Sequence, residues 1–442
     1  MERLVLNDLL KWEESKRRKP LILRGARQVG KTWVLQEFGK RHFSDFFYVN
    51  FERQEEYKQF FQITKDVHRI MQNLSMASGK KITTETLIIF DEIQACGEAL
   101  NALKYFCEDA PEYYVASAGS LLGLKLSQGF PVGKVNFLEM GSMSFEEFLL
   151  ANGDDNLYKY LNIIDNIEAI PDAFFNPLVE KLKMYFVTGG MPAAVTVWTQ
   201  DRDIMAADNV LADILLSYET DFGKHAEKFD VNKIELIWDS LPSQLAKENK
   251  KFLYSVIKEG ARAREYENAL NWLYSADMVK KVYRISKPGL PLSAYDDLTA
   301  FKIYMGDVGL LRKHSHLATS AFIENNRLFT EFKDALTENY VLKCISHQFE
   351  GKPRYWANSQ HEVDFIVQRE NDIIPIEVKA GENIKSTSIK NYYKLYERET
   401  PIIVRLSLRN LSFNGNILNV PLFLADKLNK LIEIALKNKS KL

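Results

Sequence analysis

The stretch that decides the fold is a glycine-containing loop: Gly25-Ala26-Arg27-Gln28-Val29-Gly30-Lys31-Thr32. It follows an apolar run at residues 21–23 and precedes a helical pattern that includes Val34, Leu35 and Phe38. The pattern G-x-x-x-x-G-K-[ST] between a strand and a helix is typical of a phosphate-binding loop. Its glycines let backbone N–H groups surround a phosphate, and the helix N-terminus adds a favourable dipole. A glycine-rich turn that binds nothing is the alternative interpretation.

The side chains at the end of this loop indicate a nucleotide with a metal ion. Lys31 is expected to reach the outer phosphates of ATP, and the Thr32 hydroxyl is expected to be a ligand of Mg²⁺. The sequence therefore predicts ATP and Mg²⁺ as cofactors, with residues 25–32 as the nucleotide-binding segment.

A second segment supplies the acids that such a site needs. Residues 87–90 are apolar and are followed by Asp91 and Glu92. A continuous apolar run is typical of a strand buried on both faces of a parallel sheet, and ligands bind at the carboxyl edge of such sheets. We expect Asp91 to hold Mg²⁺ and Glu92 to polarise the attacking water. A solvated strand end is the alternative for both acids.

A third strand is predicted at residues 113–120 and ends in Ser120. In ATPases with a strand between the two nucleotide motifs, a polar side chain at this end helps to orient the water near the γ-phosphate. Ser120 is therefore the candidate sensor. It could equally be the N-cap of a helix that begins at Leu121.

Composition narrows the class of protein but identifies no partner. The chain has 442 residues, which corresponds to about two to four domains. Its 58 basic and 59 acidic residues give a net charge of −1, so any nucleic-acid surface has to be a local patch. The three cysteines are widely spaced, and no apolar stretch approaches the roughly 18 residues of a membrane span. We expect a cytoplasmic protein without a membrane segment.

The sequence resembles the prokaryotic AAA-type ATPases that carry a C-terminal domain of unknown function. The resemblance covers nearly the whole chain, and its motifs are residues 25–32, Phe90-Asp91-Glu92, Gly119-Ser120-Leu121-Leu122, residues 143–148, Gly189-Gly190-Met191-Pro192 and residues 302–311. It implies an ATP-binding core, a winged-helix-like middle region and a nuclease-like end. Where relatives often have Gly-Arg, this chain has Gly133-Lys134, so the source of any arginine finger stays open.

The C-terminal segment contains a second group of candidate residues. A helix is predicted at 329–347, strands at 354–358, 362–368 and 373–379, a helix at 386–398 and a strand at 401–407. This order resembles the restriction-endonuclease-like fold. Asp364 followed by Glu377-Val378-Lys379 matches the D…E-x-K pattern of that superfamily.

The spacing of these residues fits metal-assisted hydrolysis of a phosphodiester. Residues two apart in a strand share a face, so Glu377 and Lys379 are expected to point the same way. Asp364, Glu377 and, from the helix, Glu338 would hold Mg²⁺, while Lys379 would stabilise the attacking water or hydroxide. A fold with an idle site, or an ordinary Glu–Lys pair across the sheet, is the alternative.

Together these patterns predict an α/β protein of three domains. Residues 1–154 would form the AAA-type P-loop domain with a parallel sheet, 155–320 a helical and winged-helix-like region, and 321–442 the nuclease-like domain. The expected activity is ATP hydrolysis, coupled to binding or cleavage of DNA. The alternative is a nucleotide-regulated signalling or scaffold protein, in which an inactive nuclease-like domain binds a protein partner or a second copy of the chain.

Overall fold

The structure, a computed structural model, describes residues 1–119, 131–225, 228–247, 250–320, 330–381 and 387–439. The chain divides into two compact units. The first, here the N-terminal unit, contains Glu2–Ser142 and Asn271–Met278, and the second, here the C-terminal unit, contains Met143–Leu270 and Val279–Leu442 together with Met1.

The N-terminal unit is built on a parallel sheet of five strands in the order β2-β3-β4-β1-β5. The strands are β1 Leu21–Arg24, β2 Asp45–Asn50, β3 Thr86–Asp91, β4 Tyr114–Gly119 and β5 Asn136–Glu139. The helices are α1 Val5–Glu13, α2 Lys31–His42, α3 Lys58–Ile63, α4 Val67–Ser78 and α5 Gly97–Asp109. Every residue of β3 is buried, as its continuous apolar run predicts. The predicted parallel sheet is therefore confirmed.

The C-terminal unit begins with helices. These are α6 Phe145–Ala151, α7 Asp155–Ile163, α8 Asp172–Thr188, α9 Pro192–Asp201, α10 Ile204–His225, α11 Lys228–Leu245, α12 Tyr254–Ile257 and α13 Ala263–Ser275, whose last turns lie in the N-terminal unit. A capping box begins α6, because the side chains of Ser144 and Glu147 bond to each other's backbone N–H groups at 3.1 and 2.9 Å.

A mixed sheet of eight strands follows, in the order β12-β13-β11-β10-β9-β8-β6-β7. The strands are β6 Val279–Ile285, β7 Asp296–Met305, β8 Glu350–Ala357, β9 Glu362–Arg369, β10 Asp372–Val378, β11 Ile403–Ser407, β12 Ser412–Asn414 and β13 Ile417–Pro421. The helices around it are α14 Val308–His314, α15 Thr330–Ile345, α16 Thr387–Leu395 and α17 Leu428–Lys439. The β6–β7 hairpin, which the sequence assigns to the middle region, joins this sheet through the pairs Arg284–Tyr355 and Ile285–Trp356.

Two motifs of the family resemblance meet inside the C-terminal unit. Gly189 has a φ of +67°, and Gly190 donates its N–H to Asp307 Oδ2 at 2.8 Å. Asp307 also caps α14 by accepting from Gly309 N at 2.9 Å. The close approach leaves no room for a side chain, since a Cβ on Gly189 would lie 2.2 Å from Asp307 Oδ1. Gly189, Gly190 and Asp307 therefore have a packing role.

None of the helices within the described ranges is long and apolar enough to cross a membrane. Cys96 and Cys344 are buried, Cys107 is half-buried, and all three are free thiols.

The glycine contact yields a test of stability. Gly189→Ala forces alanine into a φ of +67° with a ψ of −167°, a region almost restricted to glycine, and against Asp307, so we expect a loss of about 3 kcal/mol in the free energy of unfolding. Gly153→Ala is the matched control, because Gly153 has a φ of +77° but no atom within 4 Å of the position that a Cβ would take. That variant should lose only about 1 kcal/mol, from backbone strain alone. Equal shifts of the urea midpoint in the two variants would contradict the packing argument.

Candidate functional site

The phosphate-binding loop leaves β1 in a backbone conformation that needs its glycines. Gly25 has a φ of +151°, and a Cβ there would lie 1.9 Å from the carbonyl oxygen of Met140. Gly30 has a φ of +93° and is the N-cap of α2. Gln28 also lies in the left-handed region, with a φ of +63°. The loop between β1 and α2 is thus folded tightly, with the free N–H groups of the helix N-terminus at its end.

Lys31 is buried beneath this loop. Its ammonium group donates to the carbonyl oxygens of Gly25 at 2.8 Å and Ala26 at 2.6 Å. Burial lowers the pKa of Lys31 to about 8, although the carboxylates of Glu92 and Asp91 act to raise it. The loop's own carbonyl groups therefore hold the ammonium group close to the backbone that would surround a phosphate.

Asp91 is the point at which the predicted site residues meet. Its Oδ2 accepts hydrogen bonds from Thr32 Oγ1 at 2.9 Å, Tyr48 OH at 2.8 Å and Asn50 Nδ2 at 3.3 Å. Its Oδ1 accepts from the backbone N–H of Glu92 at 3.1 Å. The Thr32 hydroxyl and the Asp91 carboxylate are oxygen donors of the kind that Mg²⁺ prefers, and they lie side by side. These two residues fit the predicted metal ion.

Glu92 lies next to Asp91 in a strained conformation, with a φ of +48°. Its carboxylate accepts a hydrogen bond from the Gln94 side chain. Burial raises the pKa of Glu92, and the neighbouring Asp91 raises it further, against the lowering effect of the Gln94 hydrogen bond. Gln94 therefore holds the carboxylate that the sequence predicts to polarise water.

Four residues of this region were not predicted from the sequence. Tyr48 and Asn50 could have been found, because polar side chains at the carboxyl end of a buried strand lie beside the ligand edge of the sheet. Gln94 is close to Glu92 in sequence but carries no recognisable motif. Arg3 bridges the loop to a distant segment by donating to the carbonyl oxygens of Val29 at 2.6 Å and Gly141 at 2.8 Å.

Two further positions that the sequence singles out are Ser120 and Lys134. Ser120, the candidate sensor, lies outside the described residues. Lys134, which stands where relatives often have an arginine, forms an ion pair with Glu108 at 2.8 Å.

The C-terminal unit contains a cavity of about 800 Å³ beside β9 and β10. Glu338, Asp364 and Lys379 line it, as three of the four predicted nuclease-like residues. The fourth, Glu377, is buried, with its carboxylate 3.4 Å from Arg405 Nε and 3.9 Å from Lys379 Nζ.

Each carboxylate in or beside this cavity has a cationic or backbone partner. Glu338 accepts from Lys250 Nζ at 2.5 Å and from Tyr304 OH at 2.9 Å. Although burial acts to raise the pKa of Glu338, the ammonium groups of Lys250 and Lys302 hold it below its usual value. Asp364 accepts from the backbone N–H of Val378 at 2.8 Å. Burial has the largest effect on Asp364, followed by the negative charge of Glu338, and together they raise the pKa of Asp364 to about 7.

The cavity differs from the predicted metal site. In the part of the chain that the structure describes, no three His, Cys, Asp or Glu side chains are grouped so that they could hold a metal ion. Glu338, Asp364 and Glu377 are therefore not brought together as a shell for Mg²⁺. The physical reason is that Lys250 and Arg405 neutralise two of these carboxylates directly, and neither cation belongs to the D…E-x-K pattern.

The first part of the chain is similar to a known family. Residues 17–149 match the family model of an AAA domain. The segment is called the AAA domain below, after the family whose model it matches. Downstream of the AAA domain, residues 179–321 and 333–423 each match a domain of unknown function, DUF8612 and DUF4143 respectively. The chain matches none of the curated proteins with which it was compared.

Solved structures share only a distant likeness with the chain. A Walker-type ATPase of Pyrococcus abyssi is 14% identical, with 71% of this chain and 95% of that chain covered and a TM-score of 0.43. The Orc1 protein of Aeropyrum pernix, solved in complex with DNA, is 12% identical, with 73% and 92% covered and a TM-score of 0.29. Likenesses of this extent carry no conclusion about what the AAA domain or the rest of the chain binds.

The environment of Lys31 predicts how nucleotide affinity depends on pH. The free protein has a Lys31 pKa of about 8, and bound phosphates would raise it, so binding favours the protonated form. We expect the affinity for ATP to be constant below pH 7 and to fall above pH 8, approaching roughly tenfold per pH unit.

Lys31→Arg is the matched control for this profile, since a guanidinium stays charged over the whole range. Isothermal titration calorimetry between pH 7 and pH 9.5 measures both proteins. Parallel losses of affinity in wild type and Lys31→Arg would show that another group is responsible.

Proposed function

We propose that the AAA domain binds ATP with Mg²⁺ and hydrolyses it. The observation that carries this proposal is the 2.9 Å contact between the Thr32 hydroxyl and the Asp91 carboxylate, directly after the phosphate-binding loop. A hydroxyl at the end of such a loop and an acid at the end of a neighbouring strand are the two protein ligands that P-loop enzymes give to Mg²⁺.

The loop would hold the nucleotide through its backbone and through Lys31. The N–H groups of residues 25–32 and the N-terminus of α2 attract the phosphates. Lys31 would exchange the carbonyl oxygens of Gly25 and Ala26 for phosphate oxygens. The exchange is favourable because phosphate oxygens carry negative charge, whereas the two carbonyl oxygens are neutral partners for a buried ammonium group.

Thr32 and Asp91 would hold the metal ion, which supplies positive charge to the phosphate oxygens when bound. Tyr48 and Asn50 orient the Asp91 carboxylate through their hydrogen bonds to Oδ2. They act as positioning residues, because a carboxylate with fixed partners needs little rearrangement to accept a ligand.

Glu92 would accept the proton of the attacking water. Its raised pKa brings its basicity closer to neutral pH, where a general base is most effective. For this role the carboxylate has to exchange its hydrogen bond with Gln94 for one with water. ATP hydrolysis therefore requires a small local rearrangement at this residue.

Two substitutions separate binding from turnover. Lys31→Ala should abolish tight binding of ATP, because the loop loses the side-chain cation that P-loops direct at the outer phosphates. Glu92→Gln should keep binding but lower the turnover rate by about 10²- to 10⁴-fold, the usual contribution of a general base. Filter binding of labelled ATP and release of phosphate measure the two steps.

Glu85→Gln serves as a control, since Glu85 is exposed ahead of β3 and should have no effect on either step. Turnover by Glu92→Gln at the rate of the wild type would remove Glu92 from the mechanism.

A second candidate function, binding of DNA phosphates, is supported by the large cavity of the C-terminal unit. The cationic side chains that line it are Lys247, Lys250, Lys251, Arg284 and Lys379, and the acidic ones are Asp334, Glu338, Glu362 and Asp364. Lys250 and Arg284 are paired with Glu338 and Asp297, so Lys247 is the cation that we propose to contact a DNA phosphate. The observed side chains do not support a step through a metal ion, so we propose binding and not cleavage.

Lys247→Ala tests this candidate. We expect weaker DNA binding and a salt dependence that is shallower by about one unit of slope, because one phosphate contact is lost. Lys159→Ala, on the exposed side of α7, is the matched control. Equal binding by both variants would contradict a DNA site in the cavity. ATP-dependent capture of a protein, without DNA binding, would favour the signalling or scaffold alternative.

A further inference from the structure

We infer that Lys250 takes the place of a divalent metal ion in the cavity of the C-terminal unit, so that this cavity binds no metal ion while Lys250 is present. The inference concerns the same cavity as the proposed DNA binding, but it does not depend on ATP hydrolysis. It rests on the partners of Glu338, on those of the other acids near the cavity and on the chemistry of the two kinds of cation.

Lys250 reaches the cavity from outside the D…E-x-K pattern. It lies between α11 and α12, in a left-handed conformation with a φ of +46°, and only 9% of its surface is exposed. Its ammonium group is 2.5 Å from Glu338 Oε1, while Tyr304 OH donates to Glu338 Oε2 at 2.9 Å. Each oxygen of Glu338 thus has a donor, and the Lys250 ammonium group lies beside Oε1, where its charge would repel a bound metal ion.

The other acids near the cavity also have partners. Lys302 is fully buried and pairs with Glu362, and the carboxylates of Glu362, Glu338 and Asp364 together keep its pKa raised against the opposing effect of burial. Glu377 pairs with Arg405 and Lys379, while Asp364 is held by the backbone N–H of Val378. A divalent ion would have to compete with these cations for the same carboxylates.

A lysine and a metal ion can both supply positive charge to a buried carboxylate, but their charges repel each other at one site. Mg²⁺ requires several oxygen ligands at about 2.0–2.1 Å in near-octahedral geometry. An ammonium group satisfies one carboxylate as a point charge with three donors and needs no such shell. Without Lys250, burial would raise the pKa of Glu338, and above that pKa the carboxylates of Glu338 and Asp364 would attract a cation.

The consequence is that Lys250 occupies the position of a cation beside Glu338. Glu338 and Asp364 both line the cavity, yet no group of three acids is placed to hold a metal ion, as far as the described residues extend.

The test is Lys250→Met, a substitution that keeps most of the side-chain length and removes the charge. It is made together with Asp91→Asn, and no nucleotide is added, so that the AAA domain contributes no Mn²⁺ site. Electron paramagnetic resonance counts free Mn²⁺, and thermal unfolding reports its effect on stability. The parent for this comparison carries Asp91→Asn alone. We expect the protein with Lys250→Met to bind Mn²⁺ at least roughly tenfold more tightly than this parent, a change typical of altered surroundings of a metal ion.

Mn²⁺ should also raise the melting temperature of Lys250→Met but not that of the parent. The gain should disappear in Lys250→Met/Glu338→Gln, where the carboxylate to be neutralised is absent. Lys343→Met is the matched control, because it removes another largely buried lysine, 4.0 Å from Asp307, and should gain no Mn²⁺ binding. If Lys250→Met does not fold, Lys250→Gln takes its place in every comparison.

Two results would overturn the inference. The first is Mn²⁺ binding by the parent protein that is lost on Asp364→Asn, because the cavity would then hold a metal beside Lys250. The second is a folded Lys250→Met or Lys250→Gln that gains no Mn²⁺ binding, because Lys250 would then be only a structural partner of Glu338. Neither result depends on whether the protein hydrolyses ATP or binds DNA.

Discussion

The carboxyl edge of the five-stranded parallel sheet is the constraint on which the nucleotide site depends. Since β1 and β3 are parallel members of one sheet, the loop after β1 and the acids at the end of β3 emerge at the same edge. The result is the contact between Thr32 and Asp91, with Tyr48 and Asn50 completing the hydrogen bonds of the same oxygen. Lys31 and Glu92 are meanwhile held by neighbouring groups, which their burial makes necessary.

The buried carboxylates of the C-terminal unit also have partners, as the charged residues of the nucleotide site do. Its sheet carries Asp364 on β9 and Glu377 on β10, while cations from other segments of the unit enter beside them. A buried carboxylate is stabilised by a cation or by hydrogen-bond donors, and here the protein supplies both. Of the acids that predict a nuclease-like site, Glu338 and Glu377 form ion pairs, and Asp364 accepts from the backbone N–H of Val378.

The sequence predicts the AAA domain well because its signals are local. The glycine loop, the apolar run of β3 and the capping box at Ser144 each depend on neighbours a few residues away, and the structure contains all three elements. The partners of Glu338 could not be predicted in this way, because Lys250 comes from a distant segment and no motif marks it. The pairing of β6 with β8 was missed for the same reason, since strand order depends on contacts between segments far apart in sequence.

The central claim is that Thr32 and Asp91 mark the position of a nucleotide-bound metal ion. Its most direct test is to measure the rate of ATP hydrolysis by the wild type and by Asp91→Asn, each with Mg²⁺ and with a chelator. The account predicts turnover by the wild type only with Mg²⁺, and none by a folded Asp91→Asn. Turnover by Asp91→Asn at the rate of the wild type, or hydrolysis by the wild type that is indifferent to the chelator, would contradict it.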